Sequence, residues 1–354
     1  MTPLNTTPSR DYWSAFLQLP SLPRLLFSAD RLSGKDVESA KKELFKQFVC
    51  IVNIETSTYC NRSCLYCPIA NHPRQNVYMP DHIFKKVLAD LQSIQYSSTI
   101  SLSLYNEPLA DSSFYSRVEQ TRTCCPGSFV KFNSNGDYLT KPALDRLVDI
   151  GVNAIFITLH PPAGAEYADE DRIRHFHAFF SKLKIDGQIN SIVHLKNIVS
   201  DINYRGMRLL IQAHNWSVMG TGRGGAVPNL SVQARNMPCV RPLREFVISY
   251  NGSVFPCCQI FPDDKKTEQY KIDTISESCN IFDAYSSPIL AAWRRKLFTF
   301  GPKPPPCGTC SDQDYSDLSS SPLRAALIRG ITAAQDPDRQ SVNSKPQASS
   351  MPYV

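Results

Sequence analysis

The sequence lacks the features by which membrane, secreted and nucleic-acid-binding proteins are recognised. No apolar run reaches the roughly 18 residues that a membrane-spanning helix requires. The start of the chain is polar and has no basic stretch followed by a hydrophobic one, which a secretory signal would need. Lys and Arg exceed Asp and Glu by 38 to 32, but without a block of about five like charges. We therefore expect a cytoplasmic protein without a membrane or nucleic-acid partner.

Cysteine, by contrast, is abundant, with 12 residues in a chain of 354. Disulfide-rich chains are typically short and secreted, whereas tight cysteine clusters in a cytoplasmic protein indicate metal ligation. The cysteines form three sets: Cys60, Cys64 and Cys67; Cys239, Cys257, Cys307 and Cys310; and the remaining Cys50, Cys124, Cys125, Cys258 and Cys279.

From Cys50 onwards, short apolar segments alternate with amphipathic helical segments. Buried strands that alternate with helices are typical of parallel βαβ units, so the pattern predicts an α/β fold, a partial (β/α)6 barrel resembling three-quarters of a TIM barrel. We expect the carboxyl ends of the strands to share one mouth. The six candidate strands are Ile51 to Glu55, Thr99 to Leu104, Phe129 to Asn133, Asn153 to His160, Ser191 to Lys196 and Arg208 to Gln212.

The composition divides the chain into four parts. Residues 1–48 contain helical patches and predict an N-terminal helical extension, and residues 49–220 carry the partial barrel. Residues 221–315 predict a small α+β domain that bears cysteines and contains a hairpin at Asn251-Gly252. Residues 316–354 are rich in Ser, Pro and Gln and predict a largely disordered tail.

The first cysteine set follows the first candidate strand directly. Three thiolates at Cys60, Cys64 and Cys67 can hold three corners of a 4Fe-4S cube, which leaves one iron open for chemistry. A zinc site is the alternative, because Cys-x-x-Cys pairs also bind zinc. Its fourth ligand would have to be His72, the only local candidate.

The spacing Cys60-x3-Cys64-x2-Cys67, with aromatic Tyr66 before the last cysteine, resembles the signature of the radical S-adenosylmethionine (SAM) superfamily. The resemblance implies that SAM binds the open iron through its amine and carboxylate. It also implies that reduction of the cluster cleaves SAM to a 5′-deoxyadenosyl radical, which abstracts a hydrogen atom from the substrate. An external reductase such as flavodoxin or ferredoxin would supply the electron.

Two motifs after later strands fit the same resemblance. Tyr105-Asn106-Glu107-Pro108 is similar to the family's Gly-Glu-Pro motif, with Tyr105 and Asn106 where glycines are usual. The resemblance implies that Glu107 accepts hydrogen bonds from the SAM ammonium. Asn133-Ser134-Asn135-Gly136 is similar to the Thr/Ser-Asn-Gly segment of the family, which implies cofactor contacts for Ser134 and Asn135. A surface glutamate and an ordinary Asn-Gly turn are the alternatives.

The second cysteine set has the spacing Cys239-x12-Gly-x4-Cys257, followed by Cys307-Gly-Thr-Cys310. Four thiolates suit either zinc or a fully ligated 4Fe-4S cluster, and spacing alone does not choose between them. The pattern resembles the SPASM domain in its shortened form, called twitch. The resemblance implies one auxiliary 4Fe-4S cluster.

Three further residues are candidates for contact with the substrate, namely His160, Cys258 and Cys279. Each has an alternative explanation, which is a strand-end histidine for the first and a packed thiol for the other two.

The sequence predicts a radical SAM oxidoreductase of specialised metabolism that dehydrogenates a small polar or peptidyl substrate. An epimerase or a peptide-modifying maturase is the alternative within the superfamily. A non-catalytic iron–sulfur electron carrier or a zinc-stabilised interaction protein is the alternative from another class.

Overall fold

The structure is a computed structural model that describes residues 25–27, 37–162, 165–227, 230, 234–236, 238–298 and 301–312. The strands in these residues are β1 (Ile51–Ile54), β2 (Thr99–Ser101), β3 (Phe129–Ser134), β4 (Ala154–Thr158), β5 (Ser191–Val193), β6 (Asn197–Tyr204), β7 (Met207–His214), β8 (Glu245–Ile248), β9 (Ser253–Phe255) and β10 (Asp273–Thr274).

All ten strands belong to one sheet, in the order β10-β9-β8-β1-β2-β3-β4-β7-β6-β5. The six central strands, from β8 to β7, are parallel to their neighbours, and the outer pairs are antiparallel. Within the described residues the sheet has two free edges, so it does not close into a full barrel. The predicted partial, TIM-like α/β fold is confirmed.

One of the six predicted parallel strands is not parallel. Ser191–Val193 is an antiparallel edge strand, and the sequence analysis missed β6 (Asn197–Tyr204) altogether. Three residues link β5 to β6 and two link β6 to β7, whereas a parallel connection needs about a dozen or more. The tight β6–β7 turn uses positive φ angles at Arg205 and Gly206, as a two-residue hairpin turn requires. The sixth parallel strand is therefore β8, which pairs with β1.

The β8–β9 hairpin is confirmed. Val247 pairs with Phe255 and Ile248 with Val254, and Gly252 in the turn has φ of +83°. Because β8 also pairs with β1, this hairpin extends the sheet of the barrel across the predicted boundary at residue 220. The domain boundaries themselves stay predictions.

Helices cover the sheet between the parallel strands. Helix α2 (Asp81–Ser93) buries its face from Ile83 to Leu91, and Thr140 caps helix α4 (Lys141–Asp149) by accepting a hydrogen bond from the N–H of Ala143. No helix in the described residues is long and apolar enough to cross a membrane. The helices are α1 (Val37–Phe48), α2 (Asp81–Ser93), α3 (Phe114–Cys124), α4 (Lys141–Asp149), α5 (Asp169–Leu183), α6 (Trp216–Met219), α7 (Arg241–Arg244), α8 (Ile281–Tyr285) and α9 (Pro288–Leu297).

Part of the predicted N-terminal extension is described, namely α1. Its Phe45 is fully buried and packs edge-on against Phe246 of β8 and against Phe282 and Tyr285 of α8. The extension thus joins the core that the C-terminal third also forms. The first 24 residues of the predicted extension and the tail at residues 316–354 lie outside the described residues.

Candidate active site

A cavity of about 860 Å³ opens where the parallel strands end. It continues through the interior of the barrel to Cys50 and Thr99, at the other end of the sheet. Parallel α/β folds place their active sites at the carboxyl ends of strands, because the loops that follow these strands meet there. The cavity is therefore the candidate active site.

The first cysteine set lies on this cavity. Cys60, Cys64 and Cys67 all line it, on the loop that follows β1, and each is partly buried. The N–H of Cys67 donates to the carbonyl of Cys64, which closes a turn around the motif. Burial raises the pKa of the Cys60 thiol to about 11, so binding of a metal there must release a proton.

Glu107 faces the same cavity and is held by its own chain. Its carboxylate accepts hydrogen bonds from Ser134 Oγ at 2.9 Å, the Asn135 N–H at 2.7 Å and the Leu109 N–H at 3.1 Å. Burial raises its pKa to about 7, although these three bonds favour the ionised form. A carboxylate has about four acceptor positions, so one remains for a ligand ammonium.

Ser134 and Asn135 thus contact Glu107, and their predicted contacts with the cofactor stay predictions. Asn135 also lies near the cysteine loop, because its Nδ2 donates to Asn61 Oδ1 at 2.7 Å and is 4.0 Å from Cys60 Sγ. The three loops that follow β1, β2 and β3 are therefore joined by direct side-chain contacts. Their residues form one wall of the cavity.

An aromatic group forms a second wall. The Tyr66 ring stacks on His160 at 5.7 Å and on Trp216 at 5.1 Å, measured between ring centroids. Tyr66 Oη and His160 Nδ1 are 2.6 Å apart. Burial, together with the charge of Arg62, lowers the pKa of His160 to about 4, so its ring is neutral at neutral pH. His160 lies on the cavity, as predicted.

The second cysteine set surrounds a much smaller space. Cys239, Cys257, Cys307 and Cys310 together line a void of about 20 Å³. Burial raises the pKa of Cys239, Cys257 and Cys307. The structure therefore brings the four predicted ligands together. No three His, Cys, Asp or Glu side chains of the described residues converge on a single point closely enough to hold one metal ion.

The two remaining candidate cysteines have different surroundings. Cys258 lines the main cavity, and its sulfur accepts a hydrogen bond from Arg241 Nη1 at 3.4 Å. Cys279 lies in a turn bridged to Ser276 and is not among the residues that line the cavity.

Among the residues of the cavity that sequence reasoning missed are Trp216, Arg223, Arg241 and Glu245. Arg223 stands out because it has φ of +49° in a glycine-rich loop, a conformation that non-glycine residues rarely adopt. The glycines on either side were a visible signal of that loop. Arg241 and Glu245 form an ion pair of 3.1 Å, and only the pairing of β8 with β1 brings this pair to the site.

Two family models match the chain. One, described as the radical SAM superfamily, matches residues 54–163, and the other, described as an iron–sulfur cluster-binding domain (SPASM), matches residues 239–311. The predicted cofactors are confirmed at this level, namely a 4Fe-4S cluster with SAM in the first domain and auxiliary iron–sulfur in the second. The second description favours iron–sulfur over zinc.

Two individual comparisons also show similarity to this chain, one with a protein sequence and one with a solved structure. The S-adenosyl-L-methionine-dependent 2-deoxy-scyllo-inosamine dehydrogenase of Niallia circulans is 26% identical over 213 residues, which are 60% of this chain and 74% of that protein. A crystal structure of BtrN in complex with AdoMet and 2-DOIA superposes with a TM-score of 0.55 at 22% identity, over 71% of this chain and 88% of that one. The superposition establishes the shared fold.

Proposed function

The chain carries a radical SAM domain and a SPASM-type iron–sulfur domain, and from this premise we propose that it is an oxidoreductase that dehydrogenates a small polar substrate. The observation that carries the proposal is the placement of Cys60, Cys64 and Cys67 on one cavity, with Glu107 on the adjoining wall. A carrier of electrons alone needs neither a large cavity nor a buried carboxylate beside its cluster.

The side chains on the cavity are of the kinds that a 4Fe-4S cluster and SAM require. Cys60, Cys64 and Cys67 would hold a 4Fe-4S cluster with one open iron, and Glu107, Ser134 and Asn135 lie where the amino-acid part of SAM can be bound. When bound, the cluster and SAM supply a 5′-deoxyadenosyl radical that abstracts hydrogen. The chain's own part is to orient SAM and to exclude water from the reaction.

Tyr66 is fixed on the cavity wall beside the first cysteines. Its stacked contacts with His160 and Trp216 fix the ring, and the hydrogen bond to His160 fixes the hydroxyl. The three rings together offer an aromatic wall to the nucleoside part of SAM.

Dehydrogenation is favoured over other radical reactions by the similar dehydrogenase, which is named for 2-deoxy-scyllo-inosamine. The second thiolate site supports it, since oxidation of an alcohol by a radical route leaves one electron to be accepted. A cluster held by Cys239, Cys257, Cys307 and Cys310 would be such an acceptor. A reductase such as flavodoxin or ferredoxin would supply electrons to the first site, in the cytoplasm.

The test is anaerobic reconstitution with iron and sulfide, followed by SAM and dithionite. We expect release of 5′-deoxyadenosine, and with 2-deoxy-scyllo-inosamine as the first probe we expect a ketone in equal amount. Failure to form 5′-deoxyadenosine would overturn the radical SAM assignment. If 5′-deoxyadenosine forms but this probe is not oxidised, other polyols, amino sugars and peptides are the next probes. Inactivity on all of them would overturn the dehydrogenase proposal.

Epimerisation is the second candidate, because one observation favours it. Cys258 exposes a thiol to the cavity, where it could return a hydrogen atom to a substrate radical. The two reactions differ in D₂O, since an epimerase places solvent deuterium on carbon and a dehydrogenase forms a ketone. Cys258→Ala would abolish deuterium incorporation by an epimerase and leave ketone formation by a dehydrogenase.

A further inference from the structure

Tyr105 lies between the two thiolate sites and contacts the surroundings of both. It stands where the sequence resemblance places a glycine, and its side chain is almost completely buried at the edge of the cavity. Its hydroxyl donates to the carbonyl of Cys258 at 2.8 Å, next to Cys257 of the second set. Its N–H donates to Glu55 Oε1 at 3.1 Å, at the end of β1. A glycine here could make only the second of these contacts.

Phe261 completes this connection on the side of the first site. Its fully buried ring packs edge-on against Tyr105, with centroids 5.0 Å apart. Tyr105, Phe261 and Ala226 form a small apolar cluster, and Cys67 and Ile69 of the first cysteine loop pack against it. The segment that follows Cys257 and the segment that carries Cys67 are therefore in contact through two aromatic rings.

An ion pair fixes the same two segments. Arg74, seven residues after Cys67, donates to both oxygens of the fully buried Glu55 at 2.7 and 2.9 Å, and its Nε donates to Asp263 at 2.5 Å. Its guanidinium also lies 5.3 Å from the centre of the Phe261 ring. Tyr105, Phe261 and the Arg74–Glu55 ion pair thus form one packed junction between the segment after Cys67 and the segment after Cys257. A packed junction of this kind does not deform continuously.

We propose that Tyr105 is a positioning residue that couples the two thiolate sites, so that binding of SAM at the first site stabilises the metal at the second. The proposal rests on the proposed function, which assigns a cluster to each site. SAM bound at the first site would restrain the loops of Cys60 and Glu107, and Tyr105 is two residues from Glu107 on the same loop. Its hydroxyl then holds the Cys257–Cys258 segment in place, and the reverse effect follows because coupling between two sites is reciprocal.

The test measures how fast a chelator removes iron from the reconstituted protein, with and without SAM and without any turnover. The second site's kinetic phase is identified as the one absent from Cys307→Ala. In wild-type protein we expect SAM to slow this phase by a factor of roughly 2 to 10, which is what one buried hydrogen bond contributes. In Tyr105→Phe, which loses only the hydroxyl, we expect SAM to leave the phase unchanged.

Tyr96→Phe is the matched control, because Tyr96 is also buried and its hydroxyl also donates to a backbone carbonyl, that of Val49 at 3.2 Å. It should keep the full effect of SAM, so a general loss of stability is distinguished from loss of coupling. Phe261→Leu provides a second variant of the junction and should behave as Tyr105→Phe does.

The outcomes separate the two claims. If wild-type protein holds iron at both sites and binds SAM, but SAM does not alter the second phase, the coupling is overturned and the proposed function stands. The coupling is also overturned, and the proposed function stands, if SAM still slows the second phase in Tyr105→Phe or no longer slows it in Tyr96→Phe. If the wild-type protein cannot be loaded with iron at all, the proposed function itself fails, and the coupling fails with it.

Discussion

The two thiolate sites differ in how open they are and in how their ligands are distributed along the chain. Cys60, Cys64 and Cys67 come from one loop of eight residues and line a cavity of about 860 Å³. Cys239, Cys257, Cys307 and Cys310 come from separate segments and enclose about 20 Å³. Metal sites that do chemistry keep an open position, whereas closed sites with full protein ligation serve structure or electron transfer.

The distribution of ligands also predicts how each site forms. A loop of eight residues can bring its thiols together without the rest of the fold, as the Cys64–Cys67 turn does. The second site needs β8, β9 and the segment at Cys307 to be in place first, because its ligands meet only through tertiary contacts. The second site should therefore depend more on global stability than the first.

The largest effect is expected at the open site. Cys64→Ala should reduce formation of 5′-deoxyadenosine to background, because two thiolates hold a cubane poorly, and iron should fall from about eight to about four per chain. Anaerobic activity assays and iron analysis measure both. Cys124→Ala, at the end of α3 on the outer surface, is the control that should change neither. Wild-type rates in Cys64→Ala would remove this loop from the active site.

The closed site should give a different loss. Cys307→Ala should also reduce iron to about four per chain, but the first site remains and should still cleave SAM. Formation of oxidised product should fall far more than formation of 5′-deoxyadenosine, so the ratio of the two products is the measurement. If oxidised product and 5′-deoxyadenosine fell equally, the two sites would not have separate roles. One zinc and no iron in the Cys64→Ala protein would make the second site structural.

Glu107 should give an intermediate, pH-dependent effect. Its pKa of about 7 means that the free protein loses the negative charge as the pH falls from 8 to 6, so SAM should bind more weakly at the lower pH. Glu107→Gln should bind SAM about ten- to a hundredfold more weakly at pH 8, the value of a charge-assisted hydrogen bond, and should lose the pH dependence. Equilibrium binding of SAM to reconstituted protein tests this, and pH-independent binding by the wild type would contradict it.

Much of the open site could be predicted because its residues follow strands that pair in sequence order. Cys60, Glu107, Ser134 and His160 each come at or just after the end of β1, β2, β3 or β4, and parallel strand ends meet at one edge. The alternation of apolar segments was sufficient to place them on one cavity.

The rest depended on pairings between distant segments. Nothing local to β8 indicates that it pairs with β1, so the sequence analysis assigned it to a separate hairpin and missed Arg241 and Glu245. Tyr105 was noted as a departure from the expected glycine, but its bond to Cys258 requires the folded second site. Likewise, the strand predicted at residues 208–212 lies in β7, but its partner β6 was missed, because polar residues such as Ser200 and Asp201 interrupt its apolar ones.

The smallest effect is expected at Cys279, the one candidate that lies away from both sites. Its thiol is partly buried in the turn after β10, where its sulfur donates to the carbonyl of Asn280 at 3.7 Å, and burial next to Asp273 raises its pKa to about 12. A thiol that lies outside the cavity cannot reach a substrate radical held there. Cys279→Ala should leave iron content, SAM cleavage and product ratio unchanged and should lower the free energy of unfolding by less than about 1 kcal/mol. The matched comparison is Cys258→Ala, since Cys258 does line the cavity. Its loss should leave ketone formation by a dehydrogenase and abolish deuterium incorporation by an epimerase. If Cys279→Ala altered the product ratio, the contrast between an open site that does the chemistry and a closed site that supports it would have to be redrawn around the turn at Ser276.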